Sequence, residues 1–129
     1  MTSTDKTRSG RILIVDDDLE IQHLLAEVLR RRGYDIVFAR DGGEAHRAVS
    51  AFAPDLILLD LMMPKVDGFD FLRKLKEVPE DHAVPSIPVI VLSAHLQSDP
   101  TQVLALGATT LLPKPFDIDQ LTDLIECLL

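Results

Sequence analysis

Carboxylates, one hydroxyl and one ammonium group follow four of the five short apolar segments of this sequence within three residues. In chain order these residues are Asp16, Asp17 and Asp18, then Asp60, Ser93 and Lys114. Several carboxylates close together repel one another, and a divalent cation relieves that repulsion. Mg²⁺ prefers one or two carboxylates together with waters and phosphate oxygens. With a lysine and a serine nearby, the set suits a tetrahedral oxyanion held beside a metal ion.

The anion that fits this set best is a phosphoryl group carried by one of the carboxylates. The sequence has no glycine-rich loop to hold a nucleotide phosphate. The turn after the first apolar segment is acidic, so it would repel the phosphate of a dinucleotide or a flavin. Asp60 stands alone after a central segment, with Ser93 and Lys114 after neighbouring ones. Carboxylates are known phosphoryl nucleophiles, and catalysis of such a transfer is mainly positioning and charge neutralisation. Asp60 is therefore the candidate acceptor.

The apolar segments that must position these groups have the length of β-strands. Each is continuous and lacks polar alternation, which is typical of parallel strands buried on both faces. The segments are Ile12–Val15, Ile36–Ala39, Leu56–Leu59, Val89–Leu92 and, less clearly, Thr110–Leu112.

Amphipathic helical patterns lie between and after these segments. The first has apolar residues at Ile21, Leu24, Leu25, Val28 and Leu29, which form one stripe. Asp18 is placed to cap this helix at its start and Gly33 at its end, and Asp117 is placed to cap the last helix. The remaining helical patterns span Ala45–Phe52, Phe71–Val78, Val103–Leu106 and Ile118–Leu128.

This alternation predicts a single α/β domain with a doubly wound parallel sheet and right-handed crossovers. Ligands of such sheets bind outside the carboxyl ends of the strands. We therefore expect the acidic residues, Ser93 and Lys114 to converge on one edge of the sheet.

Composition limits the class of protein. The chain has 129 residues, 47% of them hydrophobic, and a net charge of −8. These values predict one domain over 11–129, preceded by a flexible polar tail over 1–10. No apolar run approaches the ~20 residues of a membrane helix, no secretion signal is present, and the only cysteine is Cys127. We expect a cytoplasmic protein without membrane insertion. The excess of acid argues against nucleic-acid binding.

The motifs at the strand ends resemble those of the receiver domain of bacterial two-component response regulators. The resemblance covers about 11–129 and implies a flavodoxin-like (βα)5 fold with strand order 2-1-3-4-5. The motifs are Ile-Leu-Ile-Val-Asp16-Asp17-Asp18, Pro54-Asp-Leu-Ile-Leu-Leu-Asp60-Leu-Met-Met-Pro64 with Gly68, Val-Ile-Val-Leu-Ser93-Ala94, and Gly107-Ala108 followed by Leu-Pro-Lys114-Pro115-Phe116.

The resemblance also implies a role for each site residue. Asp60 would accept the phosphoryl group and contribute to a Mg²⁺ site. Asp17 would bind Mg²⁺ directly, Asp16 mostly through water, and Met62 through its backbone carbonyl.

On the phosphoryl side, Ser93 would hydrogen-bond the group and move inward when it arrives. Lys114 would pair with a phosphoryl oxygen, and the Lys114–Pro115 peptide bond is expected to be cis.

The function implied is that of a phosphoacceptor switch. A histidine kinase or phosphotransfer protein would donate the phosphoryl group to Asp60. The face built by the last two helices and the fifth strand would then change its affinity for a downstream protein, and it is also the expected face of a homodimer. Because no free metabolite is turned over, we do not expect an enzyme in the usual sense.

Departures from the family pattern keep two alternatives open. Leu111 stands where the family often has an aromatic residue coupled to the hydroxyl, so the chain could be a receiver that binds partners without phosphorylation. The other alternative is a phosphatase of the haloacid dehalogenase type with Asp16 as nucleophile. That motif usually has Thr or Val where this sequence has Glu20.

Overall fold

The chain forms a five-stranded parallel sheet with helices on both faces. The computed structural model describes residues 10–60, 87–93, 108–113 and 116–129. Neighbouring strands pair in parallel in the order β2-β1-β3-β4-β5, which confirms the predicted flavodoxin-like topology. The strands are β1 (Arg11–Val15), β2 (Asp35–Ala39), β3 (Leu56–Asp60), β4 (Val89–Ser93) and β5 (Thr110–Pro113). Within these ranges the helices are α1 (Leu19–Arg31), α2 (Gly42–Phe52) and α3 (Ile118–Leu128).

Each central strand is buried on both faces, as its continuous apolar sequence predicts. On one face, Ile12 and Ile14 of β1 belong to a core that includes residues of α1 and α3. On the other, Leu13 and Val15 pack with α2 through Ala45. The helices predicted over Phe71–Val78 and Val103–Leu106 lie outside the described residues.

Helix α1 begins where the sequence predicts but buries a different face. The Asp18 side chain accepts hydrogen bonds from the backbone N–H groups of Glu20 at 3.0 Å and Ile21 at 3.4 Å. The prediction that Leu24 belongs to the buried stripe is wrong, because 51% of its surface is exposed. The face against the sheet is instead Gln22, Leu25, Ala26 and Leu29. These positions also follow helical spacing, so the helix is rotated to bring the polar Gln22 inward.

The helix ends also follow from local sequence. The last turn of α1 carries Arg30 and Arg31, whose charge is favourable at a helix C-terminus, and Gly33 follows with φ 97°. Helix α2 ends at Ala53, which adopts the left-handed conformation with φ 52°. None of the helices in the described part of the chain is long and apolar enough to cross a membrane.

Candidate functional site

The first part of the site is the acidic loop, residues Asp16–Asp18, that follows β1. Asp16 is buried, with 1% of its surface exposed, and its backbone N–H donates to the carbonyl oxygen of Ala39 at 3.0 Å. One carboxylate oxygen of Asp16 accepts the backbone N–H of Asp18 at 2.9 Å. The loop is therefore held to the end of β2 and folded on itself, while Asp17 remains exposed.

The second part is Asp60, the last residue of β3, with 6% of its surface exposed. In the β1–β3 ladder Val15 pairs with Leu59, so the next residues along these strands are Asp16 and Asp60. Carboxylate oxygens of Asp16, Asp17 and Asp60 all lie within 4.8 Å of one another. The structure thus brings together the three carboxylates that the sequence predicts at one edge of the sheet.

This carboxylate cluster has the chemistry of a hard-cation site. Its donors are oxygen atoms carrying negative charge, which hard divalent cations prefer over soft metals. Two of the three residues are buried and one is exposed, so an ion there could bind protein oxygens on one side and water on the other. The residues present therefore fit a divalent cation.

The remaining predicted site residues are placed only in part. Ser93 is the last residue of β4, next to the strand that carries Asp60, and its backbone pairs with Pro113 of β5. The ends of β4 and β5 thus reach the edge that carries the carboxylates. The side chain of Ser93, and all of Met62 and Lys114, lie outside the described residues, so their roles stay predictions.

Sequence reasoning missed one residue beside this cluster. Gln22 of α1 is buried, with 3% of its surface exposed, and its side-chain nitrogen donates to the backbone carbonyl oxygen of Asp16. The available signal was a polar residue spaced three, four and seven positions from Leu25, Ala26 and Leu29.

Comparison with known proteins identifies the family. The family model of the response regulator receiver domain matches residues 12–126. Over 120 residues the chain is 41% identical to the DNA-binding dual master transcriptional regulator RpaA of Synechocystis sp., covering 92% of this chain and 48% of RpaA. It is 39% identical over 117 residues to sporulation initiation phosphotransferase F of Bacillus subtilis, covering 90% of each chain. The chain thus spans about half of the first relative and most of the second.

Solved receiver domains have the same fold. The receiver domain of the Francisella response regulator 1452 superposes with a TM-score of 0.81 at 33% identity, covering 92% of this chain and 95% of that one. The receiver domain of a signal transduction histidine kinase from Syntrophus aciditrophicus superposes with a TM-score of 0.79 at 37% identity, covering 92% and 89%.

The match is to receivers, and the phosphatase alternative gains nothing from it. Receiver domains are signalling phosphoacceptors rather than classical enzymes, and they interact with histidine kinases or phosphotransfer proteins. With its strand order, its cluster of carboxylates and its relatives in agreement, the chain belongs to the response regulator receiver domain family and has a phosphoryl-accepting role in signalling.

Proposed function

We propose that Asp60 is the phosphoacceptor of a Mg²⁺-dependent receiver that spans residues 11–129. The observation that carries this proposal is the meeting of the Asp16, Asp17 and Asp60 carboxylates within 4.8 Å at the carboxyl end of the sheet. Asp60 is the member on β3, which lies between β1 and β4. An acceptor there is flanked by the acidic loop on one side and by Ser93 on the other.

The chemical step is a transfer from a phosphohistidine of the donor protein. A carboxylate oxygen of Asp60 forms a bond to phosphorus while the phosphorus–nitrogen bond breaks, and the electron pair of that bond stays on the imidazole. Asp16 and Asp17, with the carbonyl of Met62, would hold Mg²⁺, and that ion would offset the negative charge of the phosphoryl oxygens. Lys114 supplies a second positive charge and Ser93 a hydrogen bond. Hydrolysis of the acyl phosphate returns the Asp60 carboxylate and inorganic phosphate.

The output we propose is a change in protein contacts. Phosphorylation draws Ser93 inward and alters the face formed by β5 and the last two helices, which then binds a downstream protein or a second copy of the chain. On α3, the last of these helices, Leu124 and Leu128 are half-buried, and 47% of the surface of the adjoining Leu129 is exposed. Leu124 and Leu128 pack partly against the core, and the part of this group that stays exposed is the apolar surface that a partner would cover.

The test is the mass of the intact protein after incubation with acetyl phosphate, with and without Mg²⁺. We expect one added phosphoryl group on the wild type with Mg²⁺ and none without it. Asp60→Asn should show no adduct. Asp35→Asn, which removes an exposed carboxylate at the start of β2, is the matched control and should be phosphorylated like the wild type.

The opposite pattern would overturn the assignment. An adduct that survives Asp60→Asn would place the acceptor elsewhere, and Asp16→Asn would then be tested together with turnover of an aryl phosphate. A wild type that takes up no phosphoryl group under these conditions would favour a receiver that works through binding alone.

A further inference from the structure

Gln22 links the acidic loop to the neighbouring strand. Its side-chain nitrogen donates to the carbonyl oxygen of Asp16 at 2.5 Å and to that of Ala39 at 3.3 Å. Asp16 directly follows β1, and Ala39 is the last residue of β2. The carboxamide therefore joins the carboxyl ends of these two paired strands from the α1 side.

The carboxamide of Gln22 is suited to making both contacts. The carboxamide nitrogen carries two N–H groups, whereas a carboxylate carries none and would meet the two carbonyl oxygens with like partial charge. Both carbonyls lie in the interior, where a hydrogen-bond donor is favourable, and the Ala39 carbonyl also accepts the backbone N–H of Asp16. These contacts favour the orientation of α1 that turns Gln22, and not Leu24, toward the sheet.

The direction of the Asp16 carbonyl determines how the backbone of the acidic loop is oriented. The carbonyl belongs to the peptide group that connects Asp16 to Asp17, so fixing its direction fixes the backbone from which both carboxylates project. The carboxylates of Asp16, Asp17 and Asp60 repel one another when they lie within 4.8 Å. A hydrogen bond from the interior opposes the opening of the loop that this repulsion favours.

We propose that Gln22 is a positioning residue that preorganises the acidic loop for a divalent cation. The inference rests on the proposed function, because Mg²⁺ is the ion that this loop would bind. The Gln22 side chain donates to backbone carbonyl oxygens and not to the carboxylates that would hold the ion. It acts through the Asp16 carbonyl, as groups behind metal ligands commonly do.

The test is Mg²⁺ binding to the full chain by isothermal titration calorimetry. Gln22→Met keeps the side-chain volume and removes both donors, and we expect the dissociation constant for Mg²⁺ to rise about 10-fold. In the acetyl phosphate reaction, the Mg²⁺ concentration that gives half the maximal rate should rise by the same factor. The rate at saturating Mg²⁺ should stay within about two-fold of wild type, since the ion restores the loop once it is bound.

Two further variants separate positioning from general loss of stability. Leu29→Val shortens a side chain on the same face of α1, beyond the acidic loop, and should lower the urea midpoint without changing Mg²⁺ affinity. Gln22→Asn keeps both donors on a side chain one methylene shorter, so its dissociation constant for Mg²⁺ should rise by about 3-fold, to a value between those of the wild type and Gln22→Met. It also tests the inference if Gln22→Met does not fold.

Each contrary outcome has a distinct meaning. A folded Gln22→Met or Gln22→Asn protein that binds Mg²⁺ within two-fold of wild type would overturn the positioning role. So would an equal loss of affinity in Leu29→Val. If the wild type itself bound no Mg²⁺ and accepted no phosphoryl group, the proposed function would fail, and this inference would fail with its premise.

Discussion

At the scale of single residues, the site places like charges side by side on neighbouring strands. Asp16 and Asp60 follow the pair Val15–Leu59 in the β1–β3 ladder, and both are buried. Carboxylates this close to one another repel. When no cation is bound, that repulsion opposes the close approach of the three side chains.

The first prediction concerns that repulsion. In the presence of EDTA, Asp60→Asn should raise the free energy of unfolding by about 1 kcal/mol, because it removes one of the repelling charges. Urea unfolding followed by circular dichroism measures the change. Mg²⁺ should reverse the order of stability, since it stabilises the wild type by binding the native state. A variant less stable than wild type in EDTA would show that the repulsion is already compensated within the protein.

Ala53 offers a second prediction at this scale. It is the only non-glycine residue with positive φ in the part of the chain that the structure describes, and it ends α2. An L-residue in this conformation costs roughly 1–2 kcal/mol, and glycine avoids the cost. Ala53→Gly should therefore stabilise the protein by about 1 kcal/mol in urea unfolding. The control Ala51→Gly, two residues earlier inside the helix, should destabilise it by about the same amount; loss of stability in both would contradict the argument.

At the scale of elements, the strands are where sequence reasoning succeeds most fully. Continuous apolar segments require burial on both faces, and a parallel sheet provides it. Each strand extends its apolar segment by one residue at one end, for example to Arg11 in β1 and to Asp60 in β3. These added residues join the ladder through their backbones, and hydrophobic patterning does not report that.

Helix α1 shows where the same reasoning fails. The alternative stripes, one through Leu24 and one through Gln22, both fit helical spacing, and hydrophobicity favours the first. The structure adopts the second, in which Gln22 donates to the buried carbonyl oxygens of Asp16 and Ala39. These carbonyls meet only after β1 and β2 have paired, so the sequence of α1 alone cannot reveal the contact. The meeting of the three carboxylates was predictable because their placement depends on strand ends, which the sequence does reveal.

The third prediction tests which face of α1 is buried. Leu24→Gln should change the free energy of unfolding by no more than about 0.5 kcal/mol, since its side chain is half exposed. Leu25→Gln, at the next position, should be strongly destabilising because an amide would be buried in the core. Urea unfolding of the two variants measures both changes in free energy. A strong loss of stability in Leu24→Gln would show that the face containing Leu24 is buried, as hydrophobicity predicts.

At the scale of the whole molecule, the end of α1 is tied to α3 near Tyr34. Arg32 and Glu126 form a salt bridge at 3.0 Å between these two parts of the chain. Burial raises the pKa of the Tyr34 hydroxyl, and the negative charge of Glu126 raises it further, while Arg32 acts in the opposite direction. The neutral phenol is thus the form that this contact favours.

The fourth prediction follows from that direction. Because the pKa of Tyr34 is higher in the folded than in the unfolded state, its contribution to stability is complete below about pH 10 and is lost as the pH rises through the folded value. The difference in unfolding free energy between wild type and Tyr34→Phe should be constant from pH 7 to 9 and shift against the wild type above about pH 10. Urea midpoints measured over this range test the prediction. A stability difference between the two proteins that stays constant at every pH would show that ionisation of Tyr34 does not affect folding stability.

The strand order has a consequence for synthesis of the protein. All three clustered carboxylates lie within the first 60 residues, but β3 obtains its second neighbour only when β4 has been made. Until then Leu56–Asp60 is an edge strand, and its apolar residues Ile57, Leu58 and Leu59 lack part of the cover that they have in the complete sheet. Open apolar edges pair with other chains. A nascent chain stalled before residue 89 would therefore leave this apolar edge open and would be prone to aggregate.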